Sequence, residues 1–302
     1  MRADRGFALV LVLWALILLT GIGLAFGFAV RVETGSGSIL LDQVRAEAAA
    51  AAGVRRAVYG LLADDERLRW QADGRAYQMP WADANLRISM LTETGKIDLN
   101  YAPAPLLEGL FANLFPDVDA AALSAAVVDW RDRDDRPGEG GAERDAYAAL
   151  GRPGPANQRL ASVDELAQVI GFDAAMVDRL RPHVTVYAMR PRIDALTADL
   201  EVLAAVPGLT RAAAAQFVAN RPQQADGDAR PDLRALAAGA RYLESRRRVN
   251  VVRIRAEATQ PDGFTATVEA VVRISGRGGG NHEILDWRVP LPDSAAADEA
   301  GA

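Results

Sequence analysis

Cysteine is absent from the 302 residues, which excludes disulfides, thiolate metal sites and a cysteine nucleophile, and leaves the chain indifferent to an oxidising compartment. Histidine occurs only at His183 and His282, far apart in sequence, so a histidine-rich zinc centre is excluded. Lysine occurs once, at Lys96, and the remaining basic residues are arginine. With 40 acids against 34 bases the formal net charge is -6, which argues against a protein held to nucleic acid by overall positive charge. No Ser-His-Asp order, Walker loop or dinucleotide fingerprint is present, and we infer no enzyme activity. What the chain does have is 50% apolar and 25% charged residues. That balance excludes a disordered chain and is sufficient for two compact domains.

Long stretches without charge are missing everywhere except at the N-terminus. From Phe7 to Val30 there is no charged residue, and Thr20 is the only hydroxyl side chain. As a helix this stretch is roughly 36 Å long, enough to cross a hydrocarbon core of about 30 Å with some tilt. Residues 7–30 therefore read as a transmembrane helix. Arg2 and Arg5 in the short leader place it on the cytoplasmic side and the bulk of the chain outside, which in a bacterium is the periplasm. Thr34-Gly35-Ser36-Gly37-Ser38 weakens helix propensity and predicts a kink. Beyond it, Leu40, Val44, Ala48, Ala51, Val54, Val58 and Leu61 recur at three- and four-residue steps, an apolar stripe that calls for burial. Residues 31–65 read as an amphipathic continuation of the same helix.

Extended patterns follow. Leu68 to Gln71 and Ala76 to Met79 are separated by Asp73-Gly74, a hairpin signal, and Leu86 to Met90 alternates apolar with polar. Strand patterns return at Val249 to Ala256, Phe264 to Ile274 after the turn Pro261-Asp262-Gly263, and Glu283 to Val289 after the glycine-rich turn Gly276 to Gly280. Between Pro103 and about Ala240 the sequence reads helical. The expected architecture is α+β: a long N-terminal helix on a small antiparallel sheet built from residues 66–100 and 245–290, interrupted by a large all-helical insertion at 101–244. Residues 291–302 read as a disordered tail.

These features carry a resemblance. Arg5-Gly6-Phe7 before a long apolar helix resembles a type IV prepilin-like leader, which implies cleavage by a prepilin peptidase after Gly6 and methylation of the new N-terminal Phe7. Pilins and most pseudopilins have Glu at the fifth residue after the cut; this chain has Leu11. A carboxylate there would be costly in lipid unless a neighbouring subunit neutralised it, so its absence suits a subunit with no neighbour above. The sequence is similar in these respects to the minor pseudopilin K family of type II secretion systems, also called general secretion pathway protein K. Its landmarks here are Gly95 to Asn100, Asp129-Trp130, Gly141-Ala142-Glu143 with Tyr147, Asn157 with Leu160, Ser162 to Leu166, and Pro191-Arg192-Ile193-Asp194. The resemblance implies a tip subunit of a periplasmic pseudopilus that initiates or caps assembly for protein export. It also implies the minor pseudopilins I and J as partners, then other pseudopilins, and residence in the bacterial inner membrane as a single-pass protein.

Asp129 to Asp145 contains seven acids and four arginines, with Pro137, Gly138, Gly140 and Gly141 opposing regular structure. Such a run is either a solvated, self-paired loop or a cation site. Asp132, Asp134 and Asp135, then Glu143 and Asp145, supply carboxylates from two sides of a turn, as calcium prefers, although no EF-hand spacing is present. The resemblance implies structural calcium in this domain. Arg133 and Arg144 stand among the candidate ligands.

An internal repeat supports a rival reading. Leu166 to Phe172 parallels Leu203 to Leu209, and Ile97-Asp98 with Leu106-Leu107 parallels Ile193-Asp194 with Val202-Leu203. The units resemble helix-hairpin-helix motifs, which implies DNA binding by a membrane-anchored periplasmic protein. Asp173 and Thr210 replace the second glycine of that motif, and Asp173 repels phosphate, so packing is favoured and no nucleic acid is expected. Ser162 with Glu165 reads as a capping box. His183 reads as structural, and Arg246-Arg247-Arg248 as a solvated strand entry.

Overall fold

The computed structural model describes residues 4–65, 67–221, 233–244, 251–275 and 281–290. The turn at Gly276 to Gly280, the run Arg246 to Arg248 and the tail 291–302 lie outside the described residues, as do the side chains of Gly6, Phe7 and residues 23–40. The chain opens with helix α1, Asp4–Leu61, which passes through Thr34 to Ser38 without interruption. Strands β1 (Asp73–Trp81) and β2 (Ala84–Thr92) follow. After a 3-10 turn at Glu93–Gly95 come β3 (Ile97–Asp98), α2 (Ala104–Leu114), α3 (Ala120–Arg131) and α4 (Arg144–Ala149). A 3-10 segment at Val163–Gln168 leads to α5 (Ala174–Leu180), β4 (Val184–Thr185) and β5 (Ile193–Asp194). Helices α6 (Leu200–Ala204) and α7 (Arg211–Ala219), a 3-10 segment Leu233–Tyr242 and β6 (Leu243–Glu244) complete the insertion. The chain then returns to the sheet with β7 (Val251–Thr259), β8 (Thr265–Ser275) and β9 (Asn281–Arg288).

The main sheet has the order β1-β2-β7-β8-β9, antiparallel throughout. Strands β2 and β7 are direct neighbours, from Asn85 opposite Thr259 to Thr92 opposite Val252, so the insertion leaves and re-enters between adjacent strands. Period-two alternation decides the faces. Leu86, Ile88 and Met90 of β2, Val252, Ile254, Ala256 and Ala258 of β7, and Val268, Ala270 and Val272 of β8 are buried in one cluster with α1. The helix meets them through Ala49, Ala50, Val54, Ala57 and Val58. Its residues are small so that backbone and sheet can approach: a Cβ on Gly53 would lie 3.0 Å from that of Ala256.

The buried stripe of α1 departs from the expected one at its N-terminal half. Ala46, Ala50 and Ala57 are fully buried, whereas Val44 is 62% exposed and Ala48 is exposed. Val54 and Val58 of the expected stripe are buried as expected; the difference lies in the N-terminal half of the stripe, where alanines, weakly apolar in the pattern, take the buried positions in place of Val44. Two further expectations are corrected. Asp73-Gly74 is not the hairpin turn but the start of β1, where Gly74 has φ of 89° and the register shifts between Asp73 and Ala76. The β1-β2 turn is at Ala82-Asp83 instead, with Ala82 at φ 50°. The insertion is also not wholly helical, since β3 pairs with β4 and β5 with β6, both parallel.

The insertion has its own core, running from Ile97 to Leu243 and including Leu106, Leu107, Phe111, Tyr147, Leu166, Leu180 and Leu203. It adjoins the sheet on the face away from α1 by polar contacts. Glu93, fully buried, accepts from Arg253 Nε of β7 at 2.8 Å, with Lys96 Nζ at 3.5 Å. Arg288 of β9 pairs with Asp164 at 3.0 Å, and Arg273 of β8 donates to Met189 Sδ.

Candidate metal centre

Helix α3 begins with Asp119, whose carboxylate accepts the amides of Ala121 and Ala122, and ends at the acidic loop. Its last turn is anchored by Arg131, which donates to the carbonyls of Leu99 and Ala102. Asp129 is 1% exposed; its two carboxylate oxygens both accept the amide of Gly138 at 3.2 Å. A Cβ on Gly141 would fall 2.0 Å from Asp129 Oδ2, so glycine is required for the loop to fold back over this carboxylate. The return brings Glu143 to the start of α4, buried at 6% exposure, where it makes no side-chain cap to the helix.

Three oxygens of this loop, Asp132 Oδ1 and both carboxylate oxygens of Glu143, and Asn157 Oδ1 beyond α4 are buried without a hydrogen-bond partner. Buried carboxylate oxygens without a partner are expensive, and oxygens of this kind fit a hard cation. The electrostatics agree. Burial, followed by the charges of Asp129, Asp132, Asp135 and Asp134, pushes Glu143 above the usual carboxylate range. Burial and the charges of Asp134 and Asp129 do the same to Asp132. Among the described residues no group of three or more His, Cys, Asp or Glu is arranged to hold a metal ion. The carboxylates thus crowd one another's field without converging on one point. Their donor set is all hard oxygen, which fits calcium and not zinc.

The structure separates the expected ligands. Asp132 and Glu143 bear the orphaned oxygens, and Asp134 and Asp135 act on them through space. Asp134 also accepts the amide of Arg136, while Asp135 accepts from Asn157 Nδ2 at 2.9 Å and lies 3.9 Å from Arg144. Asp145 does not join them: it is exposed on the first turn of α4, because the helical turn carries it away from the loop. Asn157, with φ of 49°, and Asp129 were legible only as landmarks, since an amide and an acid committed to a loop amide carry no ligand signature in sequence. Behind the loop, Trp130 donates to Glu165 Oε1 at 2.9 Å, and its ring stands 5.8 Å from that of the buried Tyr147. Glu165 Oε2 accepts the amide of Ala161, and Ser162 makes no side-chain cap, so the expected capping box is replaced by a brace between α3 and the 3-10 segment.

The repeated glycines, Gly171 and Gly208, have φ of 92° and 87°. Each precedes a short helix capped by the residues that replace the second glycine: Asp173 accepts the amide of Met176 and Thr210 that of Ala213. His183 bonds Asp199 at 2.7 Å and so joins the two halves of the insertion. Nothing in this arrangement favours DNA.

At the N-terminal end, side chains are described only from Val10 to Ile22 and again from Leu41. Among the described residues no helix is long and apolar enough to cross a membrane; Val10 to Ile22 amounts to roughly 20 Å of helix. Its large apolar side chains are exposed, Trp14 at 67%.

Residues 84–189 match a family model described as type II secretion system protein K. Protein K of Pectobacterium carotovorum subsp. carotovorum is 40% identical over 129 residues, covering 40% of this chain and 39% of that protein. Protein K of Dickeya chrysanthemi is 36% identical over 99 residues, 33% of this chain and 25% of its own length. The matches thus span about two-fifths or less of these relatives. In fold, the chain resembles a chain in the crystal structure of the GspK-GspI-GspJ complex from the type 2 secretion system of enterotoxigenic Escherichia coli, with a TM-score of 0.61 at 21% identity over 82% of this chain and 96% of that one. The resemblance to type II secretion system protein K is therefore shown in sequence across residues 84–189, and across most of the chain the fold is that of a chain of the GspK-GspI-GspJ complex.

Proposed function

We propose that this protein is a minor pseudopilin of the type II secretion system, a non-catalytic subunit at the tip of the periplasmic pseudopilus that initiates or caps its assembly. The observation that carries this reading is the insertion between neighbouring strands β2 and β7 of a helix-backed sheet, in a fold that resembles a chain of a solved GspK-GspI-GspJ complex. Counterparts of the I and J subunits are the partners this implies. A bulky insertion on one side of the sheet obstructs helical stacking above the subunit, which suits a cap.

In this reading residues 7–30 span the inner membrane, with the exposed apolar side chains of Val10 to Ile22 covered by lipid. Prepilin peptidase cuts after Gly6, Phe7 becomes the methylated N-terminus, and the remainder lies in the periplasm. The paired Gly171 and Gly208 turns are helix-hairpin-helix-like units used for packing. Calcium, when bound, supplies positive charge to six to eight oxygen ligands; Asp132, Asp134, Asp135, Glu143 and Asn157 would hold it. The protein's part is to supply these oxygens from the loop and from Asn157 and to bury Glu143.

Co-expression of the full chain with its I and J counterparts tests the assignment. A stable ternary complex in detergent is expected, with the processed chain beginning at Phe7 on N-terminal sequencing. Absence of any complex, or a chain that begins at Met1 in cells with active peptidase, overturns it.

A further inference from the structure

The chain has five methionines, Met1, Met79, Met90, Met176 and Met189, and they are not alike. Met90 is fully buried under α1. Met79 packs half-buried against that same core, and Met176 against the core of the insertion. Met189, in the connection between β4 and β5, is 53% exposed, and among the described residues it is the one exposed methionine.

Two bonds hold Met189, one to each part of the fold. Its φ of 55° is in the left-handed region, which a side chain with a Cβ rarely adopts and in which it is strained. The backbone is fixed there by the insertion: the amide of Met189 donates to Asp98 Oδ2 at 2.7 Å, a carboxylate only 2% exposed, and the next residue, Arg190, pairs with Glu244 of β6. The side chain belongs to the sheet. Met189 Sδ accepts from Arg273 Nη2 of β8 at 3.3 Å, while Nη1 of that guanidinium bonds Glu283 of β9 at 2.7 Å. What the strained backbone secures is the place of one exposed sulfur atom against a permanent cation. The pairing is unequal, because a thioether is among the weakest acceptors that a side chain offers. Oxidation of the sulfur is the change that would match acceptor to donor.

We propose that Met189 is a site of reversible oxidation by hydrogen peroxide, at which the sulfoxide oxygen replaces the sulfur on Arg273 and tightens the hold of the insertion on the sheet. A lone pair of Sδ attacks one oxygen of the peroxide; the S–O bond forms and the O–O bond breaks. The sulfur is oxidised from thioether to sulfoxide and the peroxide is reduced to water, the departing hydroxide taking up the proton that the transferred oxygen sheds. The new oxygen is a strong acceptor for a guanidinium, and the unbranched, flexible methionine side chain can turn it toward Arg273. Within a core a sulfoxide would disrupt packing. At this exposed position it adds a polar contact between insertion and sheet and displaces no buried neighbour.

The test is limited treatment of the full chain in detergent with hydrogen peroxide, followed by peptide mass spectrometry and thermal melts. Met189 should gain oxygen about tenfold faster than Met79 or Met176. The oxidised protein should melt about 2–4 °C higher, and methionine sulfoxide reductase should return it to the starting value. Met189→Leu should show no rise. In Arg273→Leu, Met189 should still oxidise but bring no rise, which separates the bond to Arg273 from oxidation as such. The proposal is overturned by oxidation of Met189 no faster than that of the half-buried methionines. It is equally overturned by a melting temperature that is unchanged or lower once Met189 alone is oxidised, or by a rise that persists in Arg273→Leu.

Discussion

Asp98 and Asp194 hold the same position in the two halves of the insertion. Each ends a two-residue parallel strand and each carboxylate accepts the amide two residues on, Asn100 at 2.8 Å and Leu196 at 3.0 Å. Each carbonyl then takes the amides three and four residues on: Tyr101 and Ala102 in one half, Thr197 and Ala198 in the other. A buried aspartate thus turns the chain from strand into helix twice, by one device. The difference is Asp98 Oδ2, which also accepts the amide of Met189 at 2.7 Å.

That pairing predicts a pH dependence. Burial raises both carboxyls to about 6, against hydrogen bonds from Asn100 and Met189 and the charge of Arg131 at Asp98, and against Leu196, Arg221 and Arg190, but with Glu244, at Asp194. The native state therefore keeps protons that the unfolded chain releases from about pH 4 upward. Stability from these groups is fully present below pH 4, falls as pH rises to about 6, and levels off above. Each contributes at most about 3 kcal/mol across that window. Asp194→Asn should flatten the dependence and stabilise the protein at pH 7. Asp98→Asn should flatten it too but lose stability, since its amide group cannot accept from both Asn100 and Met189. Denaturant melts between pH 4 and 8 measure both.

Glu143 provides the test of calcium. Its ionised form is buried beside Asp132 and Asp129, so Glu143→Gln should raise the melting temperature in chelator while abolishing the response to calcium. The wild type should gain roughly 1 kcal/mol or somewhat more in a few millimolar calcium, and less in magnesium. Asp145→Ala should behave as wild type in both. A calcium response that survives Glu143→Gln would reassign the loop as a solvated one.

Gly109 tests the packing between the halves of the insertion. A Cβ there would lie 2.0 Å from the carbonyl oxygen of Ala205, a backbone atom that cannot rotate aside. Gly109→Ala should therefore cost about 1–3 kcal/mol, against the gain alanine ordinarily brings to a helix interior. Chemical denaturation of the two proteins decides the sign.

How far the sequence disclosed this fold depended on the strength of each local pattern. The strict alternation of Leu86 to Met90 and the repeated Ile-Asp pairs were legible because burial at those positions follows sequence period directly. The face that α1 buries was legible at Val54 and Val58 but not at Ala46, Ala49 and Ala50, because alanines carry little hydrophobic signal of their own. Asp73-Gly74 has the residues of a hairpin turn, but the same left-handed glycine serves a register shift, and only the partner strand decides between them. In the loop, the acidic run identified Asp132 and Glu143 by composition. It could not distinguish them from Asp145, whose separation arises from one turn of helix.

The junction between sheet and insertion is the last point open to measurement. Burial opposes ionisation of Glu93, but Lys96 and Arg253 outweigh it and hold the carboxyl below its usual range, while burial lowers Lys96. Glu93→Gln would leave Lys96 and Arg253 with only the more distant Glu269 as counter-charge, at a cost of about 3 kcal/mol. Arg253→Met alone should also destabilise, because Glu93 then keeps Lys96 at 3.5 Å as its neighbouring cation but loses the arginine bond. Combined with Glu93→Gln, it removes the charge left facing Lys96, so the double variant should lose less than the two single losses added together. A double-mutant cycle in denaturant, read by tryptophan fluorescence, measures that coupling. Strict additivity would mean that Glu93 and Arg253 act independently and that the insertion is held to the sheet by other contacts, with Arg288 to Asp164 the first to examine.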